Sequence, residues 1–214
     1  MCTMEELGDD VARILDHLAI RQVLAVIGVS QGGAAALAFA MRYLSRTQKV
    51  VACDTQATPP AALIDFFEQQ IELARNEGMG ALAKQTVGLW FPVGSPDHPG
   101  SPGGASDFAV RMIEKTSFNG FVSGVRALET YDLLKPSPNP SQLGSVSTLF
   151  EMKTPTLLLA GSLDVPLPDG LKKLANDWNN AGGVVKYEEI PECGHLPMLD
   201  GAEKWVASIV QFLT

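Results

Sequence analysis

The pentapeptide at residues 28–32, Gly-Val-Ser-Gln-Gly, places the strongest constraint on the fold of this 214-residue chain. It follows a continuous apolar run at residues 23–27 and precedes a run of small residues at 33–41. A G-x-S-x-G turn between a strand and a helix exposes the serine hydroxyl at the carboxyl end of the strand, and small flanking residues let the backbone close tightly. The amino terminus of the following helix helps to stabilise negative charge. Ser30 is therefore predicted to be a nucleophile.

A serine nucleophile needs a base, and the sequence contains three histidines. His17 falls in the first amphipathic helical pattern and His98 in a Pro/Gly-rich run, so surface and loop positions are favoured for them. His195 directly follows an alternating, strand-like run at residues 184–190, which predicts a loop at a strand end. A purely structural role is the alternative for His195, but its position favours the base.

The base in turn needs a carboxylate that fixes its tautomer. Asp164 follows the apolar run at residues 156–160, so it too is predicted at a strand end. Asp54 is the rival, because it closes the strand-like run at residues 50–53 and could reach the same histidine. Cys193 could suggest a thiol nucleophile instead, but it lacks a strand-to-helix turn of its own, and buried free cysteine is common.

Several further stretches, in collinear order over most of the chain, carry a resemblance to a known family. They are residues 51–57 (VACDTQA), 76–82 (NEGMGAL), 89–91 (LWF), 112–116 (MIEKT) and 131–133 (YDL). With the serine turn, they make the chain similar to the α/β-hydrolase superfamily and, within it, to the 3-oxoadipate enol-lactonase-like group. The order Ser30, Asp164, His195 is also the order of nucleophile, acid and base in α/β-hydrolases.

The resemblance implies an α/β fold in which helices flank a parallel sheet. Residues 1–57 and 153–214 would form the hydrolase core, and residues 58–152 a helical cap or lid inserted into it. It also implies a serine hydrolase that acts on a small-molecule carboxylic ester or lactone through an acyl-enzyme. The backbone N–H of Gln31 would supply one donor of the oxyanion hole, and neither a metal nor an organic cofactor would be needed.

Family members normally carry several strands, and a loop with a His-Gly type oxyanion motif, ahead of the helix with which this chain begins. The T-x-x-E pattern at residues 3–6 predicts a helix start, so we expect an amino-terminally truncated fold whose strand at 23–27 lies at the sheet edge. An apolar edge invites pairing, which predicts a homodimer. The alternative function is a catalytically impaired or non-catalytic homologue that binds a ligand or a partner. A Pro-rich connection at residues 135–140 also looks longer than is usual in the family.

Four side chains of the predicted cap are candidates for substrate binding: Trp90, Phe91, Arg111 and Arg126. The arginines could pair with a substrate carboxylate, as an enol-lactone acid would require. Core packing of the aromatic rings and solvated surface positions for the arginines are the alternatives.

The charge balance bears on the partners. With 16 Lys and Arg against 24 Asp and Glu, the net charge of −8 disfavours nucleic acid and anionic membranes as partners. The 3 cysteines are widely spaced, which favours free thiols in a reducing compartment. No run is apolar enough to span a membrane, and a charged helix follows residue 3 at once, so a cytoplasmic location is expected.

Overall fold

The computed structural model describes residues 2–100, 104–136 and 146–214. Its strands form one parallel sheet in the order β1-β2-β3-β4. The strands are β1 Val23–Val29, β2 Thr47–Cys53, β3 Thr156–Gly161 and β4 Val185–Ile190. All four fall on runs that the sequence predicts to be strands, which confirms the α/β-hydrolase type of sheet.

Helices connect and cover these strands. They are α1 Met4–His17, α2 Gln31–Arg42, α3 Ala61–Glu77, α4 Met79–Trp90, α5 Ala105–Lys115, α6 Phe118–Thr130, α7 Leu167–Asn180, α8 Pro197–Asp200 and α9 Ala202–Leu213, with a 3-10 turn at Leu149–Glu151. At the start of α1, the Thr3 hydroxyl accepts from the Glu6 N–H and the Glu6 carboxylate accepts from the Thr3 N–H, which confirms the predicted capping box. No helix among the described residues is both long and apolar enough to cross a membrane.

The core lies on both faces of the sheet. Alternate residues of β3 point to opposite sides, so Leu158 packs with Leu37 and Trp178 in one cluster, while Leu157 packs with Ile209 in another. Both faces of β3 are fully buried, which explains why its sequence is apolar without alternation.

Strand β1 lies at an edge of the sheet and pairs only with β2 among the described strands. Leu24 is 51% exposed and Ile27 is 43% exposed, although both belong to a continuous apolar run. The edge position expected from the sequence is therefore present, and it leaves apolar side chains in contact with solvent.

Among the described residues, helices α3 to α6 lie between β2 and β3 in the chain, where the sequence predicts the helical insertion at residues 58–152. The limits of the insertion and its role as a cap stay predictions. Most of the Pro-rich connection lies outside the described residues, as do residues 101–103 of the loop that contains His98.

Candidate active site

Ser30 occupies a sharp turn between β1 and α2. Its backbone has φ 54° and ψ −122°, a conformation that few non-glycine residues adopt, and its N–H donates to the Cys53 carbonyl at 2.8 Å. A Cβ atom at Gly28 would lie 2.0 Å from the Gly32 carbonyl oxygen, whereas one at Gly32 would meet nothing within 4 Å. The close contact between the end of β1 and the start of α2 therefore requires glycine at position 28 but not at position 32, although the motif has glycine at both.

Asp164 follows β3 and His195 follows β4, so both lie at the carboxyl ends of the parallel strands, as Ser30 does. The turn after β3 is joined to the loop after β4 by the Leu163 N–H, which donates to the Cys193 carbonyl at 2.8 Å. A Cβ atom at Gly161 would lie 1.9 Å from the Gly194 carbonyl oxygen, so the close approach of these two segments requires glycine there.

The approach brings the two side chains into contact. His195 Nδ1 lies 2.7 Å from Asp164 Oδ2, and the His195 and Asp164 side chains are only 12% and 16% exposed. A carboxylate that accepts from Nδ1–H fixes the tautomer that leaves Nε2 free to take a proton. No hydrogen bond joins Ser30 to His195 within the described part of the chain; such contacts are often long before substrate binds.

Two further residues hold the histidine loop. The Trp90 carbonyl accepts from the His195 N–H at 2.8 Å, and the Trp90 indole stacks on the imidazole with ring centroids 5.6 Å apart. Asp200 Oδ2 accepts from the Gly194 N–H at 2.9 Å and from the Ser95 hydroxyl at 2.7 Å. Asp200 was missed by sequence reasoning, since a lone aspartate before an amphipathic helix gives no signal of a buried hydrogen-bond hub.

Gln31 is the first residue of α2, where helix geometry leaves its backbone N–H without an acceptor inside the helix. That position suits the predicted oxyanion donor. The Gln31 side chain has a separate partner, because its Nε2 donates to the Gly124 carbonyl of α6 at 2.6 Å. One residue therefore links the serine turn to the inserted helices.

The predicted substrate-binding residues fall in different environments. Phe91 is fully buried with Val87 and Leu196, so it is a core residue and offers no surface to a substrate; this corrects the sequence expectation. The Arg126 guanidinium is paired with Glu68 and, at 2.6 Å, with Glu129, which also argues against its predicted role because both carboxylates already neutralise it. Arg111 is exposed on α5.

The two rivals of the predicted site residues are both buried. Cys193 is 1% exposed, and burial raises the pKa of its thiol to about 12, so the reactive thiolate is scarce at neutral pH. Asp54 is 1% exposed and lies beside the pair, with one ligand atom from each of Asp54, Asp164 and His195 within 4.8 Å of one another.

A mostly apolar pocket of about 290 Å³ opens between the segment after β2 and helix α7. Its walls include Thr55, Pro60, Phe150 and Leu167, but neither Ser30 nor His195. The pocket therefore lies beside the candidate site without containing its reactive groups.

A serine in a sharp turn after one parallel strand, with an acid and a histidine in the loops that follow two others, is the arrangement of the α/β-hydrolase class. The profile of the family described as alpha/beta hydrolase fold matches residues 2–202. The chain belongs to that family.

Among curated relatives, the chain is 27% identical over 168 residues to 3-oxoadipate enol-lactonase 2 of Acinetobacter baylyi, covering 75% of this chain and 54% of that protein. The chain thus spans about half the length of this relative. It is 23% identical over 222 residues to a cis-3-alkyl-4-alkyloxetan-2-one decarboxylase of Shewanella oneidensis, covering 99% of this chain and 66% of that protein.

Solved structures share the fold. A thermophilic esterase from Thermogutta terrifontis superposes with a TM-score of 0.80 at 24% identity, covering 100% of this chain and 72% of that one. The enol-lactonase from Burkholderia xenovorans superposes with a TM-score of 0.76 at 24% identity, covering 99% of this chain and 73% of that one.

Proposed function

We propose that the chain carries the catalytic residues of a serine hydrolase that acts on a carboxylic ester or lactone. In this proposal Ser30 Oγ attacks the carbonyl carbon while His195 Nε2 takes the serine proton, and Asp164 stabilises the imidazolium that forms. His195 then returns the proton to the leaving oxygen, and water releases the acyl group by the reverse sequence of proton transfers. The observation that carries the proposal is the contact of 2.7 Å between His195 Nδ1 and Asp164 Oδ2, at the carboxyl ends of the strands, where the turn that contains Ser30 also lies.

In this proposal the backbone N–H of Gln31 donates a hydrogen bond to the oxyanion that develops on the substrate carbonyl. Removing one donor from an oxyanion hole typically costs roughly 100- to 1,000-fold in turnover, so a site with one donor would be slow but measurable. A second donor has not been identified among the described residues, which is the observation that favours the alternative function of a ligand-binding homologue.

The inserted helices are proposed to act as a cap over the site. Support comes from the hydrogen bond between Gln31 and Gly124 of α6, and from the stacking of Trp90 of α4 on His195. Trp90 is only partly buried, so its remaining surface can contact a substrate acyl or leaving group. Arg111 is the remaining exposed cation proposed for a substrate carboxylate.

Labelling by a fluorophosphonate, followed by intact mass, tests the proposal even while the substrate is unidentified. We expect one adduct per chain in the wild-type protein, none in Ser30→Ala, and an unchanged adduct in Ser45→Ala. Ser45 is the matched control, because it is an exposed serine far from any strand end that carries the site.

The two other outcomes are equally informative once circular dichroism shows a folded sample. A folded wild-type protein that takes up no phosphonate would refute the hydrolase and favour the ligand-binding alternative. Labelling that persists in Ser30→Ala would assign the nucleophile to another residue.

A homodimer through the edge of β1 is proposed as well. Leu24 and Ile27 lie on opposite faces of this strand and are both about half exposed. The outer edge of β1, which pairs with no other strand in the described part of the chain, offers backbone donors and acceptors to a second copy. Light scattering gives the oligomeric state directly, and a well-behaved monomer would rule the dimer out.

A further inference from the structure

Asp54 is a buried acid that the proposed reaction does not use. It directly follows β2, between the strands that carry Ser30 and Asp164, and its backbone has φ 44° although it is not a glycine. Its N–H donates to the Leu159 carbonyl at 2.9 Å, which fixes the residue in this conformation. The side chain consequently points into the protein and is 1% exposed.

The two oxygens of Asp54 differ in their partners. Oδ1 accepts from the Gly161 N–H at 2.8 Å, whereas Oδ2 is buried and finds no hydrogen-bond donor among the described residues. One ligand atom from each of Asp54, Asp164 and His195 lies within 4.8 Å of the others, and the Asp164 carboxyl is within hydrogen-bonding reach of the Asp54 carboxyl. Two acids therefore meet at this point, and only one of them is engaged by the histidine.

The surroundings disfavour a negative charge on Asp54. Burial raises the pKa of its carboxyl well above the usual range, and the negative charges of Asp164 and Asp200 raise it further, against the opposing hydrogen bond from Gly161. A negative charge on Asp54 also raises the pKa of the Cys53 and Cys193 thiols and of the Tyr187 phenol, and none of these acids brings a positive charge to Asp54. His195 is the member of the cluster that could offer a positive charge, and it is already paired with Asp164.

We propose that Asp54 retains its proton at neutral pH and donates it, from Oδ2, to Asp164, so that Asp54 is a positioning residue for the pair formed by Asp164 and His195. The inference rests on the proposed function for its effect on catalysis. Each oxygen then has its own partner, since Asp54 Oδ1 accepts from Gly161, Asp54 Oδ2–H donates to Asp164, and Asp164 Oδ2 accepts from His195. The two carboxyl groups together carry one negative charge.

This arrangement has a pH consequence. As pH rises through the titration of Asp54, its proton leaves to solvent, the donor to Asp164 is lost and a second negative charge appears beside the first. Repulsion then moves Asp164 from the position in which it orients His195, so the reaction of Ser30 slows at alkaline pH. The Asp54→Asn variant cannot lose its donor, because the amide carries N–H at any pH while its oxygen still accepts from Gly161.

Carbon-13 NMR of protein labelled at the aspartate carboxyl carbons tests the proton on Asp54 without any need for activity. We expect the Asp54 carboxyl, assigned by its disappearance in Asp54→Asn, to resonate as the protonated acid at pH 7. Asp9 is the internal reference for an ionised acid, because hydrogen bonds from Arg42 and Tyr43 outweigh its burial and lower its pKa. An Asp54 carboxyl that resonates with Asp9 at pH 7 would overturn the inference.

The rate of phosphonate labelling between about pH 5 and about pH 10 tests the effect on the site. We expect wild type to lose rate on the alkaline side, and Asp54→Asn to keep its neutral rate to within about threefold and to lose the alkaline decline. Asp54→Leu, which cannot donate, should label at least about tenfold more slowly even where its melting curve shows a folded protein. An alkaline decline unchanged in Asp54→Asn would overturn the positioning role.

The two proposals fail in different ways. A wild-type protein that does not label at any pH would refute the hydrolase, yet the NMR titration would still decide where the proton of Asp54 lies. A labelled wild-type protein with an ionised Asp54 would leave the hydrolase standing and refute only the present inference.

Discussion

The indole of Trp90 stacks on the imidazole of His195 with 30° between the ring planes, and the backbone of the same tryptophan accepts from the His195 N–H. A residue at the end of α4, within the inserted helices, thus contacts the proposed general base in two ways. The position of His195 therefore depends on a helix that is remote from it in the chain, which supports the proposal that the inserted helices contribute to the site.

Removing the Trp90 ring should therefore slow the reaction of Ser30. In Trp90→Ala the backbone bond persists but the imidazole loses its flat support, and displacement of a catalytic group by about 1 Å can cost on the order of 100-fold. We expect phosphonate labelling of Trp90→Ala to slow by roughly 10- to 100-fold, while Trp90→Phe, which keeps a stacking face, stays closer to wild type. Equal rates in all three proteins would contradict a supporting role of the ring.

Asp164→Asn tests the acid. An amide at this position can donate to Nδ1, which favours the tautomer with the proton on Nε2, where the base must be free. The same change in serine proteases lowers turnover on the order of 10⁴-fold, and we expect a similar loss of labelling rate here. Asp169→Asn, in the exposed first turn of α7, is the matched control and should label normally. A normal labelling rate in Asp164→Asn would contradict the role of Asp164 and favour Asp54 as the acid that orients His195.

Asp200→Ala should weaken the fold close to the base. The change leaves the Gly194 N–H and the Ser95 hydroxyl buried without their acceptor, and each such group typically costs about 1–3 kcal/mol. We expect the free energy of unfolding in urea to fall by about 2–4 kcal/mol. Asp200→Asn keeps one acceptor oxygen and should lose less; equal losses in the two variants would mean that charge, and not hydrogen bonding, governs the site.

Asp9 gives the protein a defined sensitivity to acid. Although burial opposes it, hydrogen bonds from Arg42 and Tyr43 lower the pKa of Asp9 in the folded state. The lowered pKa means that its contribution to stability is fully present above the unfolded pKa of about 3.9 and is lost as pH falls through the folded value.

The Asp9→Asn variant should accordingly be less stable than wild type at neutral pH, by about 1.5–3 kcal/mol, and the difference should shrink below about pH 4. Urea unfolding at several pH values measures both effects. Asp10→Asn is the control, because the pair of Asp10 with Arg13 is exposed and contributes little. A stability difference for Asp9→Asn that does not change with pH would indicate a purely steric effect.

The β1 edge makes a prediction about association. Leu24→Lys places a charge on the exposed edge strand, where charge discourages pairing with another chain. We expect light scattering to report a smaller mean mass for Leu24→Lys than for wild type at the same concentration. Leu89→Lys, at a position with 54% exposure on α4, should leave the mass unchanged. A matching decrease in both variants would indicate general hydrophobic association in place of an edge contact.

The strands, the serine turn and the first helix could be predicted because their causes are local. Continuous apolar runs bury both faces of a parallel strand, as in β3, and T-x-x-E satisfies two backbone donors within one helical turn, as at Thr3. Glycine is required at position 28 because a Cβ atom there would lie 2.0 Å from the Gly32 carbonyl oxygen, within the same turn. Such features involve neighbours in sequence, so the chain itself encodes them.

Only the tertiary structure decided which distant groups meet. Asp54 and Asp164 are both acids at strand ends, and the sequence favours Asp164 without excluding Asp54. The close passage of Gly161 against Gly194 brings Asp164, and not Asp54, to His195 Nδ1. The burial of Phe91 and the two carboxylates on Arg126 likewise depend on helices packed together across the fold. Residue type states what a side chain can do, whereas distance and burial, which arise from contacts between remote segments, select what it does here.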